Sequence, residues 1–261
     1  MIIGLAGCGR MGGPMLAQLR HAGFDARGFD TVAGRGDDAG LAAFSAGLTT
    51  LITVVRDTDQ TDDVLFGAQN LSACPTLKTI IIASTLSPKY VTALRDRVPN
   101  HIALIDAPMS GAQVKAASGT LSFMIGGAET DIAAHMPLFH AMGQDIHIMG
   151  EFGAGMAAKV LNNLLAASHT AMTRTVLEWA DAAGIDEQRL LDLIHTSSGQ
   201  NWLASGFNTI EFARDGFSCD NSIGILVKDV AAGLDMAPKG ADTTLPETVQ
   251  SVLGRLRPRS T

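Results

Sequence analysis

Aromatic residues are scarce in this chain of 261 residues: 5% in all, with two tryptophans and one tyrosine. So thin a supply suits close helix–strand packing better than a β-sandwich. Cysteine occurs three times, as Cys8, Cys74 and Cys219, far apart, odd in number and without a C-x-x-C pair or a Cys/His cluster. A disulfide framework and a zinc site both lack support, so no metal is expected and a reducing, cytoplasmic compartment is. Basic residues are outnumbered, 19 against 26, for a formal net charge of −7. Nucleic-acid binding would need a basic face. No apolar run reaches the ~18 residues of a membrane-spanning helix. The opening MIIGLAGC has neither the basic start nor the apolar stretch of ~7–15 residues that a secretory signal needs. Seven histidines fall into no triad or ligand spacing, which leaves a Ser/His/Asp hydrolase without support.

What is present is glycine, 28 residues of it, and a hydrophobic fraction of 46% that sustains a sizeable core. The length fits one large domain or two ordinary ones at roughly 100–200 residues each. Short apolar runs at 2–6, 26–29, 51–55, 79–83 and 103–106 read as buried parallel strands. Helical periodicity separates them, as with Met11, Met15, Leu16 and Leu19, which implies right-handed βαβ units and a parallel sheet. Further strands at 121–125 and 146–149 bracket a helix near 132–142. Beyond Gly150 the pattern turns wholly helical. One helix over 153–183 is apolar almost all round, the mark of a buried element, and others follow at 187–195, 223–236 and 246–256.

Gly7-Cys8-Gly9-Arg10-Met11-Gly12 spells G-x-G-x-x-G between the first strand and the first helix. Gly7 allows a tight turn, Gly9 lets a pyrophosphate approach the backbone, and Gly12 permits close helix–strand packing. The helix N-terminus offers N–H groups and a positive dipole end to phosphate. Asp30 follows Gly12 by 18 residues at the end of the second strand, close to the ~20 expected of an acid that binds the ribose 2′-hydroxyl. An acid there favours NAD over NADP, although the nearby Arg27 and Arg35 soften the preference. Residues 1–150 are therefore expected to form a dinucleotide-binding α/β domain of Rossmann type, with a doubly wound parallel sheet. Residues 151–261 are expected to form a smaller all-helical domain for substrate and oligomerisation, joined through the long helix.

Further motifs follow in fixed order: Ser84-Thr85-Leu86-Ser87-Pro88, then Asp106-Ala107-Pro108-Met109-Ser110-Gly111 with Gly119-Thr120-Leu121, then Gly153-x-Gly155-x-x-x-Lys159-x-x-Asn162-Asn163, and Lys228-Asp229. Together with the glycine loop they resemble the β-hydroxyacid dehydrogenases, the 3-hydroxyisobutyrate dehydrogenase family. The resemblance runs from residue 1 to about 240. It implies that Gly7, Gly9, Arg10, Met11, Gly12, Asp30, Thr85 and Lys228 bind the cofactor. It also implies that Ser110, Gly111 and Asn163 bind substrate and that Lys159 is catalytic. Trp202 resembles a position near the family's substrate pocket, and reads equally as a core aromatic. The chain departs from the pattern at Ala112, where a second glycine is usual, at Lys115 and at Arg56. These departures bear on substrate identity and cofactor affinity rather than on reaction class.

Lys159 and Asn163, four apart on one helix, share a face. A lysine on an apolar helix is partly desolvated, which lowers its pKa toward the range useful for proton transfer; the alternative is a snorkelling lysine near the helix start. Lys228 has its own alternative, a solvated Lys-Asp pair. The expected function is hydride transfer between NAD, with NADP as a second possibility, and a small 3-hydroxy acid or its semialdehyde. The alternative is a non-catalytic dinucleotide sensor or scaffold. A homo-oligomer is expected, because the helices are too few to cover every apolar face. The stretch 257–261 reads as a polar tail rather than a packed element.

Overall fold

The structure, a computed structural model, describes residues 1–37 and 39–259. It divides into two compact units, Met1–Lys159 and the residues from Val160 onward.

The first unit opens with β1 (Ile2–Ala6), α1 (Gly12–His21), β2 (Asp25–Phe29), α2 (Gly40–Ser45), β3 (Thr50–Thr53) and α3 (Thr58–Leu65). It continues with β4 (Thr79–Ile82), α4 (Pro88–Arg97), β5 (Ala103–Asp106), β6 (Met109–Ser110), α5 (Gln113–Ser118), β7 (Leu121–Gly126), α6 (Glu129–Met142) and β8 (Gly143–Gly150). The strands lie in the order β2-β1-β3-β4-β5-β7-β6, with β8 against β7. The winding reverses at β1, since β2 lies on one side of it and β3 on the other. Such a switch point opens a crevice beyond the carboxyl ends of the strands.

β1 to β5 pair in parallel, as the alternation of apolar runs and helices predicts. The far side of the sheet departs from the all-parallel expectation. There β7 runs antiparallel to β5 and β6, and β8 runs parallel to β7. The link between β6 and β7 holds only the six-residue α5, too little for the crossover of a dozen or more residues that a parallel return requires.

Alternate strand residues feed two cores on opposite faces. Ile3, Leu5, Ile81 and Ile105 pack with Met15 and Leu19 of α1 and with Leu138 and Phe139 of α6. Leu51, Ile80, Ile82 and Leu104 pack with Val64 and Leu65 of α3 and with Val91 and Leu94 of α4. Truncating one of these large side chains to alanine costs ~2–5 kcal/mol.

α7 (Ala154–Ala182), 29 residues long, leaves the first unit at Lys159. The second unit continues with α8 (Glu187–His195), α9 (Trp202–Ser205), α10 (Ser222–Met236) and α11 (Thr244–Leu253). Asp186, Asn201 and Asn221 cap α8, α9 and α10 by accepting the amides of Arg189, Ala204 and Gly224, as short polar side chains do at helix starts. One core joins Ala167 and Ala171 of α7 to Ile223, Leu226 and Val230 of α10 and to Val249 and Leu253 of α11. A second gathers Leu177, Leu191, Leu203 and Phe207.

Two expectations fail in this unit. α7 is not covered all round: Leu165, Met172 and Trp179 are 62%, 65% and 72% exposed, because the helices after it cover only its other faces. Nor is the described stretch after α11, residues 254–259, loose; residues 260–261 of the expected tail lie outside the described residues. The fully buried Arg174 donates to the carbonyls of Ala213 and Asp215, and at 2.5 Å to that of Arg257. Arg259 grips both carboxylate oxygens of Asp181 and one of Glu187. Residues 257–259 are therefore a packed part of the unit, held by guanidinium groups that a reading for apolar periodicity overlooks.

Candidate active site

The turn between β1 and α1 has the shape its glycines suggest. Gly7 sits at φ +93° and donates its amide to the Phe29 carbonyl. A Cβ on Gly12 would strike the Gly7 carbonyl oxygen, so only glycine lets α1 start against the turn. Above Gly9 the backbone is open: a Cβ there would have Arg35 Nη1 as its one neighbour within 4 Å, at 3.9 Å. Met11 leads into α1 without a side-chain cap. The helix start thus presents amides and dipole to an incoming anion. This is a cradle that fits a pyrophosphate.

Asp30, just past β2, is tied to the loop. Its carboxylate accepts the Cys8 amide at 2.8 Å and the Val32 amide at 2.8 Å. The acid read as a ribose ligand therefore also fixes the glycine turn. Of the two arginines near it, Arg27 is committed elsewhere, to the carbonyls of Ala43 and Ala46, whereas Arg35 reaches the loop. Burial, with help from Asp30 and Asp37, pushes the Cys8 thiol up to about 11. The cysteine inside the loop is a packed, protonated side chain.

Of the other residues of the first unit, Thr85, Ser110 and Gly111 stand at or just past strand ends and Lys159 stands on α7. Thr85, half-buried, lies in the turn between β4 and α4, and the neighbouring Leu86 amide contacts Met156 Sδ at 3.3 Å. That contact brings the Ser84–Pro88 motif onto the first turn of α7. Ser110 closes β6 in register with Ser122. Gly111 follows at φ +122°, and the stem of Lys115 lies so close that a Cβ on Gly111 would meet it at 3.0 Å or less. Lys159 is 7% exposed, a buried amine on α7.

In the second unit Asn163 is buried and donates Nδ2 to Asp229 Oδ2 at 2.6 Å. Lys228 Nζ lies 3.5 Å from Asp229 Oδ1, with its side chain 38% exposed. Asp229, 2% exposed, thus joins Asn163 to Lys228, although the sequence reading had singled out only the lysine of the pair. Its signal was available: Asp229 falls on the buried stripe of Ile223, Leu226, Val230 and Gly233, where a charge needs a reason. Trp202 is exposed and packs on Phe212, with ring centroids 6.0 Å apart.

A second aspartate was also missed. Asp106, completely buried at the end of β5, accepts the amide of Gly153 at 2.6 Å and that of Met156 at 2.5 Å. Burial pushes its carboxyl up to about 6, and the donated amides of α7 pull the other way. Its partners lie some fifty residues away, beyond the reach of any local pattern.

Among the described residues no group of three His, Cys, Asp or Glu side chains comes together in a way that could hold a metal. Among the described residues no helix is long and apolar enough to cross a membrane.

The reversed winding at β1, the glycine cradle and Asp30 beside it define a dinucleotide-binding protein with a second, helical unit. A family model for the NAD-binding domain of 6-phosphogluconate dehydrogenase matches residues 2–150. A model for the NAD-binding region of NADP-dependent 3-hydroxyisobutyrate dehydrogenase matches residues 153–257. The chain is similar to the NAD-dependent L-serine dehydrogenase of Pseudomonas aeruginosa, at 31% identity over 94% of this chain and 87% of that protein. It is similar also to the L-threonate dehydrogenase of Cupriavidus necator, at 31% identity over 90% of this chain and 83% of that one. Its structure resembles that of the 3-hydroxyisobutyrate dehydrogenase of Mycobacterium tuberculosis solved with L-serine, with a TM-score of 0.80, 25% identity, and coverage of 98% and 97%. The chain belongs to the β-hydroxyacid dehydrogenase family. Its cofactor is a nicotinamide dinucleotide.

Proposed function

We propose that the chain oxidises a small 3-hydroxy carboxylic acid, or reduces the matching semialdehyde, with NAD as the hydride carrier. Family membership supports the reaction class, and the relatives above are named for hydroxy acids. The observation that carries the reading is Lys159, an amine kept out of water on α7, with Asn163 one turn further along the same helix. A dinucleotide sensor would need neither residue.

In this reading the first unit binds the dinucleotide, and the second serves substrate and oligomerisation. Gly7, Gly9, Arg10, Met11 and Gly12 hold the pyrophosphate on the start of α1, and Asp30 accepts the ribose 2′-hydroxyl. Thr85 and Lys228 serve the cofactor further along. The bound nicotinamide supplies the hydride acceptor or donor. Lys159 Nζ, in its neutral form, takes the hydroxyl proton during oxidation and returns it during reduction. Asn163 has one N–H engaged by Asp229, which leaves the other to hold the reacting oxygen. The Ser110 hydroxyl and the amide of Gly111 hold the substrate carboxylate. A homo-oligomer formed through the exposed Leu165, Met172 and Trp179 belongs to the same reading, and sedimentation velocity reports it.

The test is reduction of NAD over a panel of 3-hydroxy acids by wild type and Lys159→Ala. Removing a general base lowers kcat by ~10²–10⁴-fold, while the dissociation constant of NAD keeps its wild-type value. Equal turnover by both proteins would refute the role of Lys159.

A further inference from the structure

One carboxylate holds two parts of the first unit's chemistry. Asp106 ends β5, and the chain runs straight on through Ala107 and Pro108 into the Ser110–Gly111 turn. The same residue accepts two of the amides that open α7, those of Gly153 and Met156. The surroundings leave space for this and for nothing else. A Cβ on Gly126 would strike Asp106 Oδ1, and a Cβ on Gly155 would strike the Met124 carbonyl oxygen. Two glycines thus let β7, the helix start and the carboxylate share one small volume.

The other capped helices here do not work this way. α8, α10 and the short α9 are capped by the residue immediately before them. Such a local cap satisfies a helix and says nothing about where the helix lies. The cap of α7 comes from a strand 47 residues earlier and requires a carboxylate to be buried. Fully desolvating a charged group is costly, so a cap that served helix formation alone would be local. What the remote cap adds is a fixed height of the helix start above the sheet. Lys159 lies three residues past Met156, ~4.5 Å along the axis at 1.5 Å per residue. Any displacement of the first turn is carried to the lysine.

We propose that Asp106 is a positioning residue for Lys159: its buried carboxylate sets the start of α7 against the end of β5, and so sets the lysine amine relative to the Ser110–Gly111 turn that leaves the same strand. This rests on the reading of Lys159 as the acid/base. The test is Asp106→Asn, which keeps an acceptor but turns an amide nitrogen toward one of the two donors. Misplacement of a reacting group by ~1 Å costs up to ~10²-fold in rate, so kcat falls ~10–10²-fold. The dissociation constant of NAD and the number of NAD sites per chain stay at wild-type values. A wild-type kcat per NAD site, or kcat and NAD sites lost in the same proportion, overturns the proposal, the latter being the mark of a merely structural role.

Lys159→Ala is measured in parallel. If it is inert while Asp106→Asn turns over normally, only the assignment of Asp106 fails. If Lys159→Ala keeps its kcat, the reading beneath fails, and the positioning role with it. Where Asp106→Asn does not fold, hydrogen exchange on the wild-type protein decides. The amides of Gly153 and Met156 exchange slowly if the carboxylate holds them, and exchange at the rate of exposed loop amides overturns the proposal.

Discussion

Asn163 gives its amide nitrogen to Asp229 at 2.6 Å, with both side chains buried. Asp229 Oδ2 accepts, so the nitrogen and not the oxygen of Asn163 faces it. The remaining N–H and the oxygen of Asn163 are thereby set in direction.

This orientation has a measurable price in Asp229→Ala. The variant leaves a buried amide donor unsatisfied, a loss of ~1–3 kcal/mol, and lets Asn163 turn. Denaturant unfolding reports the first effect and kcat/KM the second, with kcat/KM expected to fall ~5–140-fold for the same ~1–3 kcal/mol. The exchange Asn163→Asp with Asp229→Asn restores a donor–acceptor pair. It recovers most of the stability and little of the activity, because an acceptor-only group then stands where the proposed function needs an N–H donor. Full recovery of activity in the double variant would show that the direction of the amide is irrelevant.

Cofactor choice should follow Asp30 and Arg35. The proposed function gives Asp30 the ribose 2′-hydroxyl; its carboxylate holds the Cys8 amide, and Arg35 Nη1 lies near the open backbone of Gly9. Asp30→Asn removes the charge that repels a 2′-phosphate and should raise kcat/KM with NADP relative to NAD. Arg35→Ala should lower it with NADP and leave NAD unchanged. A hydrogen bond to a charged group is worth ~1.5–3 kcal/mol, so each ratio moves ~10–100-fold. Steady-state kinetics with both cofactors decides, and an Arg35→Ala protein whose ratio does not move removes this arginine from the site.

The pH dependence of folding carries the mark of Asp106. Burial raises its folded-state pKa to about 6 from the ordinary 3.8, so folding favours the protonated form. The stability it contributes is present in full below about pH 4 and is lost as pH rises through about 6. Asp106→Asn has no proton to lose. The melting temperature of the wild type minus that of the variant should therefore decline between about pH 4 and 6, and thermal unfolding across that range measures it. A flat difference would mean that the carboxyl titrates as if exposed.

β1, β3, β4 and β5 were readable because each is a short apolar run buried along nearly its whole length, the pattern of a strand in a parallel sheet. The direction of β7 was not, because an apolar run does not encode which way its strand points. The connection decides that, and here it is too short to cross the sheet. β6, two residues long, has no periodicity to detect. In the site, the glycine loop was legible since each glycine answers a local steric demand. Asp106 was not, since it acts on groups 47 and 50 residues away, whereas Asp229 showed only as a charge on the buried stripe of α10. α7 misled because an apolar circumference says that cover is wanted, not that this chain supplies it.

Arg174 and Arg259 have a bearing on how the protein is made. The guanidinium of Arg174 finds one of its carbonyl partners 83 residues later, at Arg257, and Asp181 meets Arg259 across 78. Contacts of such separation form late, after the entropy of closing the loop has been met. On the ribosome the Rossmann unit has all its strands while these partners are still unsynthesised. The helical unit must hold Nη2 of Arg174 without its Arg257 partner until residues 257–259 emerge. The two units should then become protease-resistant at different times during synthesis, the glycine cradle first and the arginine clasp last.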